Sequence, residues 1–278
     1  MRANRLRRIW NDGGRTVNAW LGIPSSFSAE LMAHQGFESA TVDMQHGVIG
    51  YEVAVSMLQA ISTTEAVPLV RVPWREAGII MRMLDAGAYG VICPMVNSRS
   101  EAEELVSCCR YPPLGQRSFG PVRAALYGGA DYHQHANREV LVLAMIETRK
   151  ALDNLTEILS VEGLDGIYVG PSDLALSLGY QPATDASDPE VLQAIQEIAH
   201  AARAHGRYAA IHCLSVDFAR RMWDLGYHMV SLLSDGRLMA LKTQELLREL
   251  RGSGVRSEER RVGRECEVPC RSRWSPYH

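Results

Sequence analysis

Lysine is nearly missing from this sequence. Among 29 basic residues in 278, only Lys150 and Lys242 are lysines, so chemistry that needs a primary amine has two candidates. The six cysteines (Cys93, Cys108, Cys109, Cys213, Cys266, Cys270) form no Cys-x-x-Cys pair and no framework spacing. Reduced thiols are expected, and a structural zinc site is not. No apolar run approaches the roughly 18 to 20 residues that cross a bilayer. Arg2, Arg5, Arg7 and Arg8 open the chain, but Trp10-Asn11-Asp12-Gly13-Gly14 stands where a secretory signal would need an apolar stretch. A cytoplasmic protein is expected. A formal charge of -3 offers nothing to a polyanion, which argues against nucleic acid or an anionic membrane as the main partner. With 46% hydrophobic and 22% charged residues the composition is that of a globular protein, which excludes disorder and fibrous repeats.

What is present is alternation. From about residue 17 to 250, short apolar runs take turns with helical patterns. The strand-like runs are Val17 to Gly22, Ser39 to Asp43, Val67 to Arg71, Gly90 to Pro94, Val140 to Glu147, Gly166 to Gly170, Tyr208 to His212 and His228 to Leu233. Between them lie helical segments with usable caps, such as Glu52 to Ile61, Ala77 to Asp85, Ser100 to Cys109 and Asp188 to Ala204. Glycines that can end a helix precede several strands, as in Ala86-Gly87-Ala88 and Leu225-Gly226-Tyr227. Eight strands in strict alternation with helices predict an α/β fold, a single-domain parallel (β/α)₈ TIM barrel over residues 17–250, with residues 1–16 as an N-terminal extension.

Two segments break the rhythm. About 30 residues separate Cys109 from Val140, and their aromatics with Arg117 and Arg123 suggest an ordered active-site or subunit-contact loop. Residues 251–278 carry seven Arg, four Glu and almost no apolar periodicity. They read as a disordered or out-of-frame extension, with a basic recognition tail as the other reading.

In a parallel barrel the chemistry gathers at the carboxyl ends of the strands, where the loops into the helices converge. Reading along those ends gives Trp20 and Gly22, Asp43 with His46, Arg71, Pro94, Glu147, Asp173, His212 and Ser231. An apolar run that stops at a charge is costly to bury unless that charge is paired or ligates something. Glu147 and Asp173 follow adjacent strands, so their carboxylates could meet and repel. A divalent cation between them would remove that penalty, and hard oxygen ligands suit Mg²⁺ or Mn²⁺ better than Zn²⁺. Equally, Glu147 could pair with Arg149 or Lys150, and Asp173 could cap a helix after Pro171. His46 could exchange protons near neutral pH or serve as an ordinary hydrogen-bonded loop residue. Arg71 suits a carboxylate or an enolate, or could simply pair with Asp43.

Together these positions resemble a known family. Asp43-x-x-His46-Gly47, Pro68-Leu-Val-Arg71-Val, Leu84-Asp85-x-Gly87-Ala, Pro94-Met, Tyr111-Pro-Pro-x-Gly, Glu147-Thr-x-x-Ala151-Leu-Asp-Asn and Gly166-Ile-Tyr-Val-Gly170-Pro-Ser-Asp173-Leu are similar to the motifs of the HpcH/HpaI class II pyruvate aldolases. That family includes 4-hydroxy-2-oxoheptanedioate and 2-dehydro-3-deoxyglucarate aldolases, and macrophomate synthase is related. The resemblance implies Glu147 and Asp173 as ligands of a divalent metal (Mg²⁺ or Mn²⁺, with Co²⁺ a further candidate) and no organic cofactor. It implies Arg71 as the group that stabilises a pyruvate enolate, oriented by Asp43. His46 and Asp85 would form a dyad acting through a water on the metal. Trp20 would line the pocket, and the amides of Ser172 and Asp173 would receive the pyruvate carboxylate. Met145 and Met44-Gln45 depart from the heptanedioate-type pattern, which bears on the identity of the aldehyde.

The implied activity is a carbon-carbon lyase that cleaves or forms 4-hydroxy-2-oxo acids from pyruvate and an aldehyde. The alternatives are oxaloacetate decarboxylation or a macrophomate-synthase-like reaction through the same enolate, then a non-catalytic keto-acid-binding barrel. A lysine Schiff base would need an amine inside the barrel, and neither Lys150 nor Lys242 is well placed for it. Members of this family are generally homo-oligomers, often hexamers that exchange the final helix, so a homo-oligomer is expected.

Overall fold

A computed structural model describes residues 1–252. In chain order the elements are α1 (Arg5–Asn11), β1 (Thr16–Leu21), α2 (Ser26–Ala33), β2 (Ser39–Asp43), α3 (Tyr51–Ile61), β3 (Val67–Arg71), α4 (Ala77–Asp85), β4 (Gly90–Cys93), α5 (Arg99–Cys109), α6 (Val122–Gly128), α7 (Tyr132–Glu139), β5 (Leu141–Ile146), α8 (Arg149–Asp153), α9 (Leu155–Leu159), β6 (Gly166–Val169), α10 (Pro171–Ser177), α11 (Pro189–Ala204), β7 (Tyr208–Cys213), α12 (Val216–Asp224), β8 (Met229–Leu232) and α13 (Asp235–Arg251). The eight strands form a closed, all-parallel barrel, with β1 paired to both β2 and β8. The backbone divides into two compact units, one running from Met1 to Gly236 and the other beginning at Arg237. Of the segment 251–278, whose reading as an extension was given above, residues 253–278 lie outside the described residues.

The strands are short β-branched and apolar runs buried on both faces, as a barrel wrapped by helices requires. Polar side chains at their carboxyl-side neighbours start the helices. Ser25, Ser98, Thr148 and Ser215 each accept a backbone N–H from the first turn of the helix that follows. Inside the barrel one polar layer is fully satisfied. Asn18 donates to Ser231 Oγ at 2.9 Å and accepts from Ser39 and Thr41, while the Tyr168 hydroxyl donates to the same Ser231 oxygen at 2.8 Å.

Residues 1–16 contribute a helix to the barrel floor. Asn4 caps α1, and its amide also donates to the carbonyls of Tyr89 and Glu139, just before β4 and β5. Leu6 and Trp10 bury their side chains, and the Trp10 indole donates to Thr16 at the start of β1.

The long connection between α5 and β5 folds as α6 and α7. Because it leads from a helix into a strand, it lies at the amino-terminal face of the barrel, so it is no active-site loop of its own chain. Its Arg117 and Arg123 are used structurally. Arg117 is fully buried and donates to Asp85 at 2.8 Å, and Arg123 donates to the carbonyl of Ala86 at 2.7 Å.

Candidate active site

Three strand ends build one half of the mouth. Asp43 closes β2 and sits beside Arg71, its register partner at the end of β3. The pair is bidentate: Arg71 Nε donates to Asp43 Oδ1 at 2.8 Å and Nη2 to Oδ2 at 2.6 Å. Trp20, near the end of β1, donates its indole N–H to Asp43 Oδ2 at 3.1 Å and lies 4.7 Å beneath the guanidinium. The backbone N–H groups of Gln45 and His46 complete the set on Asp43 Oδ1. Burial alone would raise the Asp43 carboxyl, but Arg71, Trp20 and the His46 N–H together hold it below its ordinary value. The guanidinium is therefore locked in one orientation, and among the described residues its Nη1 has no hydrogen-bond partner. The pairing left open from the sequence is formed, yet it occupies only one edge of the fork.

The other half of the mouth is acidic. Glu147 follows β5 and is 1% exposed. Its Oε1 accepts the Met95 N–H at 2.7 Å, an orientation that puts Met95 at φ 56°. A positive φ is an unfavourable conformation for this side chain, held here by the Arg75 and Asn97 donors on the Met95 carbonyl. A Cβ on Gly170 would come within 2.5 Å of Glu147 Oε2, so only glycine lets β6 end this close to the carboxylate. Gly170 then opens α10, and Asp173 stands in its first turn.

Burial, reinforced by the neighbouring Asp173 charge and opposed by the Met95 N–H and Arg71, raises the Glu147 carboxyl to about 7. Among the described residues no cation forms an ion pair with Glu147 or Asp173. Arg149, which the sequence offered to Glu147, pairs with Glu190 at 2.8 Å, and Lys150 forms no ion pair among the described residues. A buried carboxylate beside a second carboxylate, with no ion-paired cation among the described residues, fits a divalent cation held by two oxygens. Among the described residues no group of three or more His, Cys, Asp or Glu gathers, so such a cation would take its other ligands from water or substrate.

The remaining predicted residues divide. His46 is exposed on the loop after β2, on the same face as Asp43. Ser172 touches Thr184 through their hydroxyls at 3.3 Å, and the N-cap Gly170 has no side chain to accept from the first turn of α10. Asp85 is a correction. It ends α4, a few residues before β4 begins, and so lies at the amino-terminal face with Arg117, while His46 lies at the carboxyl-terminal one. Within one chain the two form no dyad, because a helix that returns along the barrel carries its last residue away from the mouth.

Two further residues, without a role in the sequence analysis, complete the wall. His212 at the end of β7 stands edge-on to Trp20, with ring centroids 5.1 Å apart, and its Nδ1 lies 3.3 Å from the Tyr168 hydroxyl. Burial and the Arg71 charge lower its imidazole to about 4, so it is neutral near pH 7. Its place at a strand end was the available signal. Met95 had none, since its contribution is a backbone N–H.

Comparison with known proteins agrees with this geometry. The sequence profile of the HpcH/HpaI aldolase/citrate lyase family matches residues 17–241. A hydroxypyruvate/pyruvate aldolase of Rhizorhabdus wittichii is 41% identical over 248 residues, covering 89% of this chain and 99% of the relative. The 4-hydroxy-2-oxo-heptane-1,7-dioate aldolase of Escherichia coli is 36% identical over 246 residues, covering 87% and 93%. The crystal structure of an HpcH/HpaI aldolase/citrate lyase family protein from Burkholderia cenocepacia superposes with a TM-score of 0.84 at 32% identity, covering 90% of this chain and 100% of that one. With a charged, two-sided mouth on an eight-stranded barrel and a family match that spans it from β1 into α13, this chain belongs to the HpcH/HpaI aldolase/citrate lyase family.

Proposed function

We propose that the chain is a divalent-metal-dependent class II pyruvate aldolase, a carbon-carbon lyase that forms or cleaves 4-hydroxy-2-oxo acids through a pyruvate enolate, with an aldehyde as the second substrate. The observation that carries this reading is Glu147, buried, without a counter-cation and facing the charge of Asp173. The aldolase names of relatives at 36% and 41% identity support the aldol reaction over oxaloacetate decarboxylation. The name of the Rhizorhabdus wittichii relative adds hydroxypyruvate as a candidate donor.

Glu147 and Asp173 would hold the cation, Mg²⁺ or Mn²⁺. When bound, such an ion supplies the electron withdrawal that acidifies the hydrogens next to a 2-oxo group. Arg71 offers its unpartnered Nη1 to the oxygen on which negative charge develops. Asp43 and Trp20 have already fixed the guanidinium, so no reorganisation is needed at that moment. The N–H groups of Ser172 and Asp173 face the substrate carboxylate, and Trp20 walls the pocket. His46, exposed at the mouth, moves the proton. A dyad with Asp85 would need that carboxylate from another copy of the chain. Homo-oligomeric assembly is supported by Phe119, Val122 and Leu126, three exposed apolar residues on and beside α6.

The test is turnover of pyruvate and of hydroxypyruvate with a panel of aldehydes. Chelation by EDTA should abolish it and Mn²⁺ or Mg²⁺ should restore it. Borohydride added with pyruvate should leave activity intact, since Lys150 and Lys242 are both exposed. Irreversible borohydride inactivation would overturn the reading.

A further inference from the structure

The barrel floor carries a cavity that the proposed chemistry does not use. It has a volume of about 210 Å³ and is lined by Arg2, Arg5, Arg8, Glu65, Tyr89 and Tyr127. It opens between α1 and the starts of β3 and β4, at the end of the barrel opposite Glu147 and Arg71. Three arginines and one acid line it: Arg5 is half-buried, and Arg2, Arg8 and Glu65 are exposed.

Several arginines elsewhere in the fold hold an acid. Arg7 and Arg110 share Asp165, Arg71 holds Asp43, Arg75 holds Glu101 and Arg117 holds Asp85. Arg5 and Arg8 have no ion pair or side-chain hydrogen bond among the described residues, though they stand three apart on α1 and line the same cavity. Arg2 is fixed over the Tyr127 ring at 4.6 Å, and the Tyr89 hydroxyl donates to its carbonyl. Arginines lining one cavity, two of them without an ion pair, offer guanidinium forks that match the geometry of carboxylate and phosphate oxygens. At about 30 Å³ of liquid volume per water, the space suits an anion of fewer than about ten heavy atoms.

We propose that this floor cavity is a binding site for a small dianionic oxyanion, held by Arg2, Arg5 and Arg8 and independent of the catalytic mouth. Phosphate and short dicarboxylates share the required chemistry, and two probes separate them. Calorimetric titrations of the full chain with inorganic phosphate and with succinate, at constant ionic strength set by NaCl, should show saturable binding of at least one. Binding of phosphate alone assigns a phosphoryl ligand, binding of succinate alone assigns a dicarboxylate, and binding of both assigns a general dianion site. Arg5→Gln should weaken that binding about tenfold, as expected for loss of one charge-assisted contact, and Arg5→Gln/Arg8→Gln should abolish it while aldol turnover stays within about twofold of the parent. Glu65→Gln should tighten it about threefold by removing the opposing charge, a gain that misfolding cannot imitate. Failure of both anions to bind, or equal affinity in the doubly substituted chain, would overturn the assignment. These outcomes do not depend on whether the mouth is an aldolase site.

Discussion

Replacing Glu147 by glutamine separates the cost of the acidic cluster from its use. The substitution keeps an acceptor for the Met95 N–H and nearly the same volume, and it removes one negative charge from a position 1% exposed. Moving this carboxyl from its ordinary 4.5 to about 7 makes its ionised form less favourable in the fold by about 3 kcal/mol. A raised carboxyl contributes its stability below pH 4.5 and loses it as the pH climbs through 7, so the metal-free parent should weaken across that window. In EDTA at pH 8, Glu147→Gln should therefore melt about 6 to 12 °C above the parent, and at pH 4.5 the two should coincide. Saturating Mn²⁺ should reverse the order, because the parent gains stability by mass action while the variant has lost a ligand. Differential scanning calorimetry at the two pH values, with and without metal, reads the whole pattern. The reasoning is refuted if the variant is no more stable at pH 8 in EDTA, or if Mn²⁺ stabilises both chains alike.

The same carboxyl predicts that the apparent Mn²⁺ affinity of the parent falls up to about tenfold for each pH unit below 7, because protons compete with the ion; electron paramagnetic resonance of free Mn²⁺ measures it, and a flat profile from pH 5 to 8 would contradict the assignment. Arg71→Lys keeps the charge opposite Asp43 but loses the fork, so kcat should drop about 10² to 10³-fold with a smaller change in KM; steady-state kinetics test this, and near-parental kcat would exclude Arg71 from charge stabilisation. The Asp85 side chain is about a quarter exposed beside the buried Arg117, so Asp85→Asn should destabilise the chain by about 3 kcal/mol, read from its denaturation midpoint. If a second copy supplies Asp85 to His46, mixing inactive His46→Ala and Asp85→Asn chains should regenerate about a quarter of the sites; no recovery after refolding the mixture would leave Asp85 only its pairing with Arg117.

How far the sequence could be read follows from where each signal resides. The strands Ser39–Asp43 and Val67–Arg71 and the helix Ala77–Asp85 match their sequence-derived bounds, because an apolar run ending in a charge and a capped amphipathic run are both local patterns. The helix α1 escaped notice because its two anchors, Leu6 and Trp10, are too few to make a periodic stripe, and the amide of its cap Asn4 is spent on the distant carbonyls of Tyr89 and Glu139. The helical run from Ala151 to Leu159 is interrupted at Asn154, which separates α8 from α9 and whose side-chain amide donates to the Asn97 carbonyl. At the site, Asp43, Arg71, Glu147 and Asp173 were legible as charges at strand ends. The Met95 N–H and the closeness of Gly170 to Glu147 were not, since a backbone donor and a missing Cβ become visible only in three dimensions. The misplacement of Asp85 has a similar root. A motif gives order along the chain, while the end of the barrel at which a residue lands depends on whether a strand or a helix has just ended.

Two carboxylates on one barrel rim are driven in opposite directions, and the difference assigns their work. Asp43 receives two guanidinium contacts, an indole N–H and two backbone N–H groups, and is held ionised below its ordinary range. Glu147, equally buried, receives one backbone N–H and faces another acid, and is raised to about 7. A fully satisfied carboxylate has nothing left to offer a ligand, so in the proposed mechanism Asp43 would act through Arg71, whose guanidinium it holds by one edge. An unsatisfied one retains both charge and an oxygen, so Glu147 is where a cation gains most from binding. On the proposed function the mouth would then divide along the barrel: Arg71 at the end of β3 supplies positive charge permanently, and Glu147 and Asp173, after β5 and β6, would recruit it. Only the recruited half should respond to chelators and to pH near 7, whereas the permanent half should be indifferent to both.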